Sequence, residues 1–236
     1  MTENEWVNEQ HRSQTMLLAL LRPGKLQRTK AGKRKLRLFA CGCCRLVWGL
    51  LVDRRLKEAV IVAEQFAEGQ TDKTELQAAF SRVIGLTMGG YSPTDPGVRE
   101  RTAAHMALSA TTARAVSAAI EMTAMPLAMA GYNLGDSKGD AMLCHLLRCT
   151  FGNPFHPVSV NPVWFSWNSA IIPKLAQTIY EERQLPEGTL DQTRLFILAD
   201  ALEEAGCTDP DILSHLRGSG PHIRSCWVID CLMGEK

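Results

Sequence analysis

Apolar positions recur at helical spacing through most of the chain, and almost nowhere do they alternate with the period of two that a half-buried strand needs. A short apolar run over 16–21 is closed by Arg22-Pro23-Gly24, which predicts a brief helix ended by a breaker pair. Leu36, Phe39, Ala40, Cys43, Leu46, Val47 and Leu50 fall on one face of an amphipathic helix predicted over 33–51. A helix over 53–67 follows, with Leu56, Val60 and Ala63 inward and Gly69 past its end, and then one over 71–84, for which Thr71 offers a cap.

Gly89, Gly90, Pro93, Pro96 and Gly97 mark the clearest internal loop. Beyond it, 98–130 is rich in alanine and should bend or end at Pro126; Ala103, Ala107, Ala110, Ala113 and Ser117 would let a neighbouring helix come close. Further helices are predicted over 140–150, 163–182, 189–205 and 210–217. The second of these should break or bend at Pro173, and the last carries Asp209 as its cap with Pro210 at its first position. The stretch 151–157, with Gly152, Pro154 and Pro157, cannot be regular. The pattern therefore predicts an all-α fold, an irregular multi-helix bundle of roughly eight to ten helices. It reads as a single helical domain over 1–236, in which a loop at 89–97 would join an N-terminal subdomain over 1–88 to a main body over 98–236.

The 236 residues are 45% hydrophobic, enough to fill a core, so a disordered chain is excluded. Lys and Arg number 26 against 25 Asp and Glu, and this balance removes any argument from global charge for nucleic acid, acidic substrates or a membrane surface. The polar, acidic beginning lacks the basic and apolar regions of a secretory signal. The least charged region, 102–131, is built from Ala, Thr, Ser and Met around Arg114 and Glu121, which suits a buried helix better than a membrane span. A cytoplasmic protein with no membrane partner is expected.

Local charge is distributed differently. Arg22, Lys25, Arg28, Lys30, Lys33, Arg34, Lys35 and Arg37 form a basic run able to contact phosphates, although it has no interleaved aromatics for base stacking. Nucleic acid is thus one possible partner, and a solvated basic loop leading into a helix is the alternative.

Eight cysteines in a chain of this length, with no export signal, point to reduced thiols or metal ligands. In Cys41-Gly42-Cys43-Cys44, Cys43 lies at the centre of the apolar face, Cys44 on its flank and Cys41 nearly opposite. Arg37 and Arg45, one turn either side of Cys41, would activate its thiol if it were exposed. A zinc reading takes Cys41 and Cys44 and adds either His145 and Cys149 or His222 and Cys226, each pair one helical turn apart. Against it stands the simpler reading of buried, unligated cysteines. If 221–233 is helical, His222, Cys226 and Asp230 share a stripe, but the cysteine lies between the other two, whereas a catalytic imidazole must bridge nucleophile and carboxylate.

No GxxxxGK[ST] loop, GxGxxG fingerprint, GxSxG elbow or HExxH helix is present, and no catalytic residue is assigned. The segments 34–45 (RKLRLFACGCCR), 146–155 with its FGNPF ending, and 220–227 (GPHIRSCW), together with the helix around Ile197-Leu198-Ala199-Asp200-Ala201-Leu202, resemble a family of planctomycete bacterial proteins to which no activity is assigned. Gly42 and Ser225 stand where that pattern has Ala and Gly, and neither changes a potential ligand. The resemblance implies a bacterial cytoplasmic protein with one continuous domain and transfers no catalytic residue. Three functional readings follow. The first is a non-catalytic helical interaction module that binds a protein partner through aromatics near Trp164, Phe165 and Trp167 or through the basic face. The others are a nucleic-acid-binding accessory protein using residues 22–55, with zinc as a possible stabiliser, and a thiol enzyme or redox sensor using Cys41.

Overall fold

Helices carry the architecture among the residues that the computed structural model describes, which are 1–8, 12–87, 98–112, 114–124 and 137–234. These residues form thirteen α-helices: α1 (Glu3–Asn8), α2 (Ser13–Leu21), α3 (Lys25–Arg28), α4 (Lys30–Leu46), α5 (Arg54–Ala67), α6 (Lys73–Val83), α7 (Val98–Ala110), α8 (Ala115–Ala124), α9 (Ser137–Phe151), α10 (Trp167–Glu181), α11 (Gln192–Glu204), α12 (Pro210–Arg217) and α13 (Trp227–Met233). Among the described residues there is no strand, only isolated bridges joining Thr189 to Gln184 and to Ile223. The all-α prediction is met with more helices than expected, because α1 and α3 are too short to show a period and the alanine-rich segment is interrupted between α7 and α8. The predicted loop at 89–97, Ala113 and the bend at Pro126 lie outside the described residues.

The chain divides into two compact units, Met1–Leu147 and Arg148–Lys236, with the division falling inside α9. In the first unit α4 is central and packs against α3, α5, α7 and α8. The sequence predicts an amphipathic α4, yet every residue from Leu36 to Arg45 is buried. The cause is what surrounds it. Ala103, Ala107 and Ala110 on α7 and Ala118 and Ala119 on α8 are fully buried, and their short side chains allow helices to approach α4 on faces that carry arginine.

Those arginines are accommodated by specific partners. Arg45 makes a two-pronged ion pair with Glu64 of α5, both contacts at 2.8 Å, and its guanidinium lies over Trp48. Arg37 donates to the carbonyls of Ala110 at 2.6 Å and Thr112 at 2.9 Å, so it satisfies acceptors at the C-terminal end of α7. At the start of α4, the Thr29 hydroxyl accepts from the Gly32 amide, and a Cβ on Gly32 would lie 2.3 Å from the Leu26 carbonyl oxygen. Glycine is required there for α3 to pack this closely.

In the second unit, α10 packs against α11 and α13, and α12 against α11 and α13. The helix predicted over 163–182 is interrupted before Pro173. A 3-10 turn at Pro162–Phe165 is followed by Asn168, Ser169 and Ala170 at φ 44°, 59° and 61°, a left-handed turn made without glycine. Right-handed helix resumes after Ala170, which leaves Pro173 in the first turn, where its missing N–H is not needed. Asp191 caps α11 through the Arg194 amide, and Asp209 caps α12 through the amides of Asp211 and Ile212. The cap of α6 is Asp72 rather than Thr71, its carboxylate accepting from the amides of Thr74 and Glu75.

Candidate metal centre

Two cysteines and two histidines meet inside the second unit. Cys149 stands in the last turn of α9, His215 in the last turn of α12, His222 in the connection that follows, and Cys226 immediately before α13. Each offers one ligand atom, and the four atoms all lie within 4.8 Å of one another. Cys149 Sγ is 3.8 Å from His222 Nδ1, and His215 Nε2 is 3.3 Å from Cys226 Sγ. A tetrahedral zinc with Zn–S near 2.3 Å and Zn–N near 2.0 Å places sulfur and nitrogen about 3.5 Å apart, so the observed spacings bracket the required one.

Local structure explains how these residues are held. The peptide carrying His222 is fixed where the Leu190 amide donates to the His222 carbonyl at 2.8 Å, beside the Thr189–Ile223 bridge. His222 Nε2 faces the Gly218 carbonyl at 3.4 Å, which leaves Nδ1 as its ligand atom. The two imidazoles stand edge to face with centroids 4.7 Å apart, and Trp227 closes over His215. Gly152 ends α9 at φ 66°, and a Cβ there would lie 3.1 Å from the Trp227 ring. Thr150 and Ser225, both buried, join through their hydroxyls at 2.9 Å.

The electrostatics favour one anionic sulfur. Burial raises the Cys149 thiol well above its ordinary value, and the hydrogen bond to Cys226 adds to this. Burial also opposes ionisation of Cys226, but the hydrogen bond from Cys149 and the adjacent His215 and His222 bring it well below the ordinary thiol value. Burial opposes a charge on His222 as well, and the neighbouring Cys226 outweighs it and raises its pKa. A thiolate ringed by nitrogen donors and a second thiol suits a borderline-soft cation.

Sequence reasoning singled out Cys149, His222 and Cys226 for metal binding and missed His215. The spacing of His215, His222 and Cys226 was the available signal, but the three do not share a helix: α12 ends at Arg217 and α13 starts at Trp227. The expected terminal helix over 221–233 is correspondingly shorter, so His222, Cys226 and Asp230 do not form its stripe. Cys41, Cys44 and His145 belong to the first unit and are not among the four ligands. Cys41 is 1% exposed, with its sulfur 4.0 Å from the Val60 carbonyl, so the exposure that thiol activation by Arg37 and Arg45 would require is absent. Burial pushes the thiols of Cys43 and Cys44 up.

The basic run is not one outward stripe. Arg22, Arg28, Lys30 and Lys33 are exposed, Arg34 and Lys35 half-buried and Arg37 buried, while Lys25 falls in α3. Arg34 pairs with Glu68 at 3.2 Å. Of the aromatics expected at a contact surface, Phe165 is exposed, Trp167 half-buried and Trp164 buried. No helix among the described residues is long and apolar enough to cross a membrane. No protein-family model, curated protein or solved structure matches the chain.

Proposed function

We propose that the protein is a non-catalytic helical binding module whose second unit is closed around a structural zinc ion. The observation that carries this reading is the convergence of Cys149, His215, His222 and Cys226, one ligand atom each, within 4.8 Å. Two thiols and two imidazoles are a donor set that zinc takes in structural sites, and three of the four residues here are buried. Four protein ligands leave no position open for a reacting water, which favours a structural over a catalytic role. Bound zinc would tie α9, α12 and the start of α13 together, linking Cys149 to a histidine 73 positions further on. A binding role is supported by apolar side chains left at the surface of the same unit, with Phe165 39%, Phe196 42% and Ile197 50% exposed.

The test is elemental analysis and native mass spectrometry of protein purified without chelator. One zinc per chain is expected, lost in Cys149→Ser/Cys226→Ser, with cobalt substitution producing the visible absorption of a tetrahedral thiolate site. Zinc-free protein with all thiols free, or zinc retained by the double variant, would overturn the reading.

A further inference from the structure

The first unit contains a cavity of about 710 Å³ whose lining, among the described residues, includes Lys30, Lys33, Arg34, Arg37 and Arg114 and no acidic residue. Its volume falls within the range of sites that enclose a small organic molecule. The cations come from two directions. Four sit in the first half of α4, and Arg114 immediately precedes α8, whose first turn, Ala115 to Ser117, forms part of the wall. The amides of a first helical turn have no partner within their own helix, and the helix dipole adds partial positive charge at that end.

The five cations are not neutralised alike. Arg34 is paired with Glu68, and Arg37 is held against the carbonyls of Ala110 and Thr112 with its guanidinium over the Phe66 ring. Lys30, Lys33 and Arg114 have no acidic partner among the described residues. Burial lowers the Arg37 pKa, so an anion in the cavity would relieve the cost of its buried charge. Phe66, Ala67 and Val116 supply an apolar wall beside this charge.

We infer that this cavity binds a small organic phosphate, with the phosphate groups against Lys30, Lys33, Arg114 and the first turn of α8, and the organic part against Phe66 and Val116. The inference rests on a different unit from the metal centre and stands whether or not zinc is bound. Positive charge and helix N-terminal amides recognise phosphate oxygens, and the apolar wall selects an ester over the free ion. A nucleic-acid strand fits less well. Arg22, Arg28 and Lys35 do not line the cavity, and Phe66 is the one aromatic among its described lining residues, so no second ring is present there on which a successive base could stack.

Isothermal titration of the full chain with ATP, ADP and inorganic pyrophosphate tests the inference, with a single-stranded oligonucleotide as the competing ligand. One site is expected, with a dissociation constant of about 0.1 mM or tighter for at least one nucleotide. Binding should weaken on raising the salt concentration and weaken about tenfold or more in Lys30→Gln/Lys33→Gln, a change of exposed side chains that leaves circular dichroism unaltered. Arg114→Gln provides a second variant, outside α4, with the same expected loss. Absence of binding by all three phosphates at millimolar concentration overturns the inference. So does unchanged affinity in both variants, or an oligonucleotide that binds more tightly than either nucleotide and is not displaced by pyrophosphate.

Discussion

At Arg45 and Glu64, two opposite charges stand with side chains only 6% exposed each, and both nitrogen–oxygen contacts are 2.8 Å. Coulomb attraction at such a site is strong because little water screens it, and for the same reason removing one partner strands the other. Glu64→Ala is therefore expected to destabilise the protein by about 3–5 kcal/mol in urea unfolding, whereas Arg45→Met/Glu64→Leu should cost clearly less. The pairing is not visible in the sequence, where Arg45 reads as a neighbour of Cys41 one helical turn away and Glu64 carries no signal. His215 was hidden for a similar reason. A histidine in the last turn of a short helix has an ordinary role at the carbonyl end, and only the path of 218–226 turns its ring toward Cys226.

Helix by helix, the legible features were those written in neighbouring residues. Asp209-Pro210 at the start of α12 is such a local signal, and its cap forms; the structure adds a cap by Asp53 at the start of α5. Asp53 accepts from the Arg55 side chain and from its amide, and these bonds lower its pKa from 3.8 to about 2. A carboxylate held below its unfolded value stabilises the folded state above the unfolded pKa, and the contribution disappears as pH falls through the folded one. The difference in unfolding midpoint between the wild type and Asp53→Ala should thus be complete above about pH 4 and shrink as the pH approaches 2. The left-handed turn at 168–170 was not legible. Asn168-Ser169-Ala170 contains no glycine, and the visible breaker, Pro173, lies in a first helical turn that tolerates it.

Over the whole molecule, the two units present different chemistry: a cavity lined by cations in Met1–Leu147 and a Cys/His cluster in Arg148–Lys236. If zinc closes the cluster, its removal should act on the second unit. Chelation of the full chain is expected to increase amide hydrogen exchange in α11, α12 and α13 while α4 and α5 keep their protection; uniform loss in both groups, or none, would contradict a structural metal there. The sequence by itself determined the all-α class, most helix positions, the Asp209 cap and three of the four candidate ligands, because helical period, capping and breaking act over a few residues. Tertiary structure alone decided that α4 is buried on every side from Leu36 to Arg45, that Cys41 is inaccessible, that His215 completes the cluster, and that part of the basic run lines a cavity with Arg114. These outcomes depend on which distant surfaces meet, and a local pattern records that a face is apolar or charged but not what will cover it.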